Sequence, residues 1–420
     1  MADDASQTPA AAPAQPPVLA LTPLNPQFRE DPYSMLAALR EQCPVMRDEG
    51  AGVFFVSKHE DVRAILTDLT LWRDPNRAEE AAVLTRRILE EPEGARPGGS
   101  RNPSILLQDD PDHARVRNPL AQALYKRAAK IKPEVERIAD AALDAVAAKG
   151  TFDLMADYAL PIPIDVIAAI LGVSKDRLAE FRDWSEGVIQ GLNPLRTPEQ
   201  TEHMLRAGDA LREHMEQMLA DRRANPQDDL VSDMVQIQAA GADLTDDDLV
   251  TNLNALLVAG NLTTTDLIGN AVRLFLTHPQ ELAKLHADPS LIAAAVEETL
   301  RYEPPVDITG RIASREMEVR GCPVHTTQSL LLSLRGANRD PEVFEEPDRF
   351  DITRRKSPHV AFGGGAHICI GAPLARIEAQ VALGRLFARF PNLRLADPAA
   401  PPVWRTLPFF RGLERLDVSV

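Results

Sequence analysis

Phe362-Gly363-Gly364-Gly365-Ala366-His367-Ile368-Cys369-Ile370-Gly371 sets one cysteine in a glycine-rich run directly ahead of an expected helix. Three consecutive glycines let a backbone lie flat against a large planar cofactor, where any Cβ would intrude. Gly371 and Pro373 mark the entry to a helix over Ala372 to Gln380, because proline suits a first turn that needs no N–H from it. The positive end of such a helix favours thiolate over thiol, which makes Cys369 a candidate iron ligand. An isolated Gly-Gly-Gly beside a buried cysteine is also what an ordinary turn looks like, so other parts of the chain must decide.

Composition narrows the class. Of 420 residues, 44% are apolar and 26% charged, the balance of a globular chain with a substantial core. A net charge of −16 argues against nonspecific nucleic-acid binding, while leaving room for a local basic patch that receives an acidic protein. The three cysteines, Cys43, Cys322 and Cys369, are too few for a disulfide framework and lack zinc-like spacing, which fits a reducing cytoplasm. Residues 1–22, rich in Ala and Pro, carry neither a signal peptide nor a membrane span and read as a disordered tail; 23–420 read as a single domain beginning near Asn25.

Helical periodicity dominates after about residue 130, notably over Val135 to Ala148, Glu202 to Arg223 and Asp247 to Thr277. Strand signals are short: Gly52 to Ser57 and Ser329 to Leu334. The Pro/Gly-rich segment Pro92 to Gly99 reads as a loop, and Gly191 to Pro198 as a break between helices. Glu298 and Arg301 share a helical face, a spacing equally common in solvated pairs. His113 and Arg117 stand one helical turn apart. Ala259-Gly260-Asn261-Leu262-Thr263-Thr264 puts small residues and threonines in a long apolar helix, where packing alone would also place them.

Taken in register, the run around Cys369 resembles the phenylalanine-glycine-x-glycine-x-histidine/arginine-x-cysteine-x-glycine signature of the cytochrome P-450 family, and the likeness extends from about Asn25 to Val420. The resemblance implies a mainly α fold, a triangular helical prism with small β-sheets enclosing one haem b (iron protoporphyrin IX), with Cys369 as proximal ligand. It implies propionate partners at His113, Arg117, Arg311 and His367, with Phe362 and Gly371 also at the cofactor. Glu298 and Arg301, with Arg349 of Pro347-Asp348-Arg349-Phe350, resemble the family's structural triad. The segment around Ala259, Gly260 and Thr263 resembles the kinked oxygen-binding helix.

Leu262 departs from the pattern, standing where the family usually has the acid that feeds protons to the threonine. Asn261 and Asp266 are the candidate substitutes. The implied reaction is hydroxylation of a hydrophobic small molecule by a haem-thiolate monooxygenase using O2 and electrons from an external ferredoxin and its NAD(P)H-dependent reductase. Peroxide use or weak coupling is the alternative that Leu262 raises, and a non-catalytic haem sensor or electron carrier is the rival from another class. The family's layout puts Ala255, Val258, Val306, Asp307, Ile308 and Phe409 in the substrate pocket. Asp307 either orients a polar substrate group or serves as a structural acceptor. Arg115, Lys126, Arg127 and Arg376 are the expected contacts for an acidic redox partner of a monomeric, cytoplasmic protein without a membrane anchor.

Overall fold

The structure, a computed structural model, describes residues 17–82, 85, 103–193, 196–355 and 357–420. Four helices position the site: α1 (Asp112–Ala128), α2 (Asp246–Thr277), α3 (Ile292–Tyr302) and α4 (Ala372–Arg389). The longest, α2, starts at a capping box in which Thr245 and Asp248 exchange side-chain-to-backbone bonds, with three aspartates at the positive end. It stops at His278, the residue before Pro279, where the ring disfavours helical backbone. Buried residues encircle α2 from Leu249 to Phe275, the signature of a helix enclosed by protein rather than lying on a surface.

Around α2 pack the helices Pro161–Leu171, Pro198–Ala224 and α4, while Lys132–Val146 backs α4 from the other side. One apolar cluster runs through all of them, from Val116 to Leu386. Buried polar side chains tie α2 to its surroundings: Asn252 accepts from the Ile105 amide at 2.8 Å, and Asn270 donates to the Arg411 carbonyl at 3.0 Å. Each satisfies a backbone group that burial would otherwise leave unpaired.

The largest sheet has four strands, β1 (Val45–Asp48), β2 (Val53–Val56), β3 (Ile308–Ile312) and β4 (Ser329–Ser333), in the order β1-β2-β4-β3. Val45 pairs antiparallel with Val56, Val53 lies parallel to Ser329, and Ile308 faces Ser333 antiparallel. Among the described residues three smaller sheets accompany it. The helices expected near Val135, Glu202 and Asp247 and both expected strands appear within a few residues of their anticipated bounds, and the helix expected over Ala372 to Gln380 continues to Arg389.

One expectation about chain organisation changes and another is untested. Val18 and Leu21 form a short 3-10 turn and are buried against Phe28, so apolar burial extends order into the segment read as a tail. The loop expected over Pro92 to Gly99 lies outside the described residues, as do residues 1–16 and part of the break near Pro194. Among the described residues no helix is long and apolar enough to cross a membrane.

Candidate active site

Cys369 sits between a 3-10 turn (Gly365–His367) and the first turn of α4. Its amide donates to the Phe362 carbonyl at 2.9 Å, which closes the loop on itself. Gly365 is required twice over: its φ is +66°, and a Cβ there would stand 2.3 Å from the Leu66 carbonyl oxygen of the helix His59–Thr67. Gly371 has ordinary φ, and a Cβ would meet Cys369 Sγ at 3.9 Å, so its contribution is an amide aimed at the sulfur. Burial pushes the thiol pKa up, opposed by the Gly371 amide, Arg117 and the Ala372 amide. The helix end alone therefore does not generate the thiolate; donors are in place for it, and a metal ion held by Cys369 would favour the deprotonated sulfur.

Beyond the sulfur opens a cavity of about 350 Å³. One end is cationic. His367 and His113 rings lie 4.2 Å apart, and Arg73, Arg117 and Arg311 line the cavity with no carboxylate within 4.0 Å of any of the three among the described residues. Burial together with the charges of Arg73, His113, Arg311 and Arg117 pushes the His367 pKa down to about 2. His113 Nε2 is buried without a hydrogen-bond partner. A cluster of donors this poor in anions is costly unless a negatively charged group joins it. Arg73 was not anticipated: nothing local in Trp72-Arg73-Asp74 marks it, and only the fold carries it to β3.

The opposite wall is α2. Leu256, Val258, Ala259, Gly260, Leu262 and Thr263 line the cavity, and a Cβ on Gly260 would meet nothing within 4 Å. The expected kink is absent: α2 is continuous, and Thr263 Oγ1 donates to the Ala259 carbonyl at 2.9 Å, a bond a helical threonine makes without breaking the ladder. Leu262 is buried where the acid was missing. Neither expected substitute reaches the cavity. Asn261 turns away to donate to Ser185 Oγ at 2.8 Å. Asp266, one turn past Leu262, does not line the cavity and faces Arg405 at 3.3 Å, with its pKa raised to about 7 by burial.

An unanticipated acid does line the cavity. Glu378 on α4 is fully buried, its Oε2 has no hydrogen-bond partner, and burial alone holds its pKa well above the usual carboxylate range. Burial thus favours its protonated form.

The substrate-facing expectations are partly revised. Val258, Val306, Ile308 and Phe410 line the cavity, whereas Ala255 gives way to Leu256 and Phe409 does not reach it. Phe409 stands in a turn at φ +69°, and the following residue, Phe410, bridges to Val306. Asp307 is a structural acceptor: Arg335 Nε donates to it at 2.6 Å in a buried network with Glu303 and Tyr33.

The triad is also revised. All five N–H groups of Arg301 are used, on both Glu298 oxygens (2.7 and 2.8 Å) and on the Asn338, Pro347 and Arg349 carbonyls. Arg349 supplies only that carbonyl; its side chain is 54% exposed and pairs with Glu346. Arg354 takes the third place, its Nε 3.2 Å from Glu298 Oε2.

Residues 74–397 match the Cytochrome P450 family model. The chain belongs to the cytochrome P450 family. It is 38% identical over 398 residues to Cytochrome P450 107B1 of Saccharopolyspora erythraea, covering 93% of this chain and 95% of that one. It is 36% identical to 6-deoxyerythronolide B hydroxylase of the same organism, covering 94% and 97%. Among solved structures, CalO2 superposes with a TM-score of 0.86 at 30% identity, covering 94% of this chain and 98% of that one. P450BioI, solved with a fatty-acyl carrier protein, gives 0.83 at 31%, covering 94% and 100%.

P450s bind haem through a cysteine thiolate, and this chain's residues fit that group. The cationic end of the cavity matches two propionates, the glycine loop brings backbone close to where a macrocycle would lie, and Cys369 faces α2 across the space between. On the outer face of the P450, three of the four cations expected to meet a partner are engaged within the chain. Arg115 pairs with Asp248, Arg127 with Asp228 and Asp233, and Arg376 with Glu297. Lys126 remains exposed, as do Tyr125 and Ile368.

Proposed function

We propose that this P450 hydroxylates a hydrophobic organic molecule in the cytoplasm, acting as a monomer and drawing electrons from a ferredoxin and its NAD(P)H-dependent reductase. The observation that carries the reading is one cavity with Cys369 on one wall, Ala259, Gly260 and Thr263 on the other, and apolar side chains between. Haem b bound there supplies the oxygen chemistry, and the protein supplies orientation and protons. Leu256, Val306, Ile308 and Phe410 exclude water and hold an apolar substrate beside the small residues of α2. Relatives named for 6-deoxyerythronolide B, vitamin D(3) and nocardicin C differ widely in substrate, so the chemical class rests on these walls.

Proton supply in this reading bypasses Leu262. Glu378, whose protonated form burial favours, stands at the cavity wall as the proton donor, and the Thr263 hydroxyl, bonded to the Ala259 carbonyl, can rotate to pass a proton on. The ferredoxin docks on the Cys369 face, where Lys126, Tyr125 and Ile368 are exposed.

A library of apolar compounds screened by the substrate-induced shift of the haem Soret band tests the proposal. A hit should be hydroxylated when NAD(P)H, ferredoxin and reductase are present. Product formed with hydrogen peroxide but not with any reductase pair would favour the peroxide-driven reading that Leu262 supports. A haem that responds to no organic ligand and yields no product under either condition would leave only the sensor or electron-carrier reading.

A further inference from the structure

Arg73 and Arg311 donate to the same oxygen. Arg73 Nη1 lies 2.7 Å and Arg311 Nη1 2.8 Å from the Gly310 carbonyl, which sets two guanidinium groups side by side at the cationic end of the cavity. Arg73 Nη1 also donates to Thr309 Oγ1 at 2.8 Å. Its Nη2 has no partner among the described residues, and neither guanidinium has a carboxylate within 4.0 Å there. Asp109, the nearest acid to Arg73, uses its oxygens on the Arg73 and Asp74 amides. Two like charges held this close raise each other's cost, and one carboxylate with a donor on each oxygen relieves both.

The same side chain reaches the segment over the cavity. Arg73 Nε donates to the Leu106 carbonyl at 2.9 Å, and its amide donates to Asp109 Oδ1 at 2.6 Å, so Arg73 holds the segment 103–109 at two points. Ile105 and Leu106 of that segment line the cavity.

We propose that Arg73 is a second guanidinium on the haem propionate that Arg311 binds, and that its bond to Leu106 fastens the 103–109 segment to the bound cofactor. The inference rests on the reading of Arg311 as a propionate partner. It makes Arg73 a positioning residue whose loss loosens the haem and the segment together.

Haem transfer from the loaded protein to excess apomyoglobin provides the test. Arg73→Met should speed transfer by roughly tenfold, the loss of one charge-assisted hydrogen bond to a carboxylate. Arg73→Lys, which keeps the charge without the fork, should fall between Arg73→Met and the parent. Arg77→Met, which removes a neighbouring cation stacked on Trp72, should leave transfer unchanged and so controls for local loosening. Hydrogen exchange at the amides of 104–108 should be slowed by haem in the parent and much less in Arg73→Met. Faster transfer in Arg311→Met but parental transfer in Arg73→Met would overturn this inference alone, and unchanged transfer in both would remove the propionate reading as well. Parental haem retention in Arg73→Met with weakened binding of an aliphatic carboxylic acid would assign Arg73 to a substrate anion instead.

Discussion

Cys369 is the residue on which the chemistry converges, and its sulfur is prepared rather than preset: burial opposes charge, while the Gly371 amide and Arg117 favour it. Replacing Cys369 with His should abolish the red-shifted Soret band of the reduced carbon monoxide complex, while Cys43→Ala and Cys322→Ala keep it. A retained band in Cys369→His would end the ligand assignment. Leu262 and Glu378 pose the second question at this scale. Glu378→Gln should lower the fraction of NAD(P)H recovered as product several-fold with haem loading intact, and Leu262→Asp should partly restore it by placing an acid on α2. Burying that carboxylate costs stability, so both are compared as folded, haem-loaded protein. Equal coupling in the parent and in Glu378→Gln would show that protons arrive by another route.

Among the elements, α3 shows how a short pattern becomes architecture. Glu298 and Arg301 meet because three residues on a helix bring side chains together, and Arg301 then collects three carbonyls from the segment 338–349. Breaking that pair leaves a charge buried and unpaired, so Glu298→Ala should cost about 3–5 kcal/mol in a urea titration. Arg354→Ala should be more damaging than Arg349→Ala, since Arg354 Nε reaches Glu298 and the exposed Arg349 side chain does not. Arg349→Ala should stay within about 0.5 kcal/mol of the parent, as surface substitutions do. The opposite order would restore Arg349 to the triad.

For the whole molecule, the buried Asp266 links folding to pH. Folded Asp266 keeps its proton to about pH 7, whereas an unfolded aspartate releases it near 3.9. Its contribution to stability is therefore complete below about pH 4 and falls as pH rises towards 7, by up to about 1.4 kcal/mol per pH unit. Asp266→Asn has no such proton to lose. The difference in unfolding free energy between the two proteins should change across that window and flatten above it, and a difference independent of pH would mean that Arg405 keeps Asp266 ionised throughout. Electron supply also belongs to this scale, because intramolecular pairs already occupy Arg115, Arg127 and Arg376. Lys126→Glu should slow reduction by an acidic ferredoxin in stopped-flow experiments at low salt, with the effect fading as salt screens it.

The chain by itself determined whatever is written in contiguous residues or in helical period. The loop from Phe362 to Gly371, the helices near Val135, Glu202, Asp247 and Ala372, the strands at Val53 and Ser329 and the Glu298–Arg301 pair were all legible, because local backbone geometry dictates them. Tertiary packing decided the rest. Whether Asp266 or Glu378 meets the cavity depends on what packs against α2 and α4 along their length, and Asp266 faces Arg405 instead. Whether Arg349 or Arg354 reaches Glu298 depends on the path of a loop with no period to read. Arg73 gains its place only because Trp72 pairs with Ile312 across the fold, bringing residues far apart in the chain to one carbonyl oxygen.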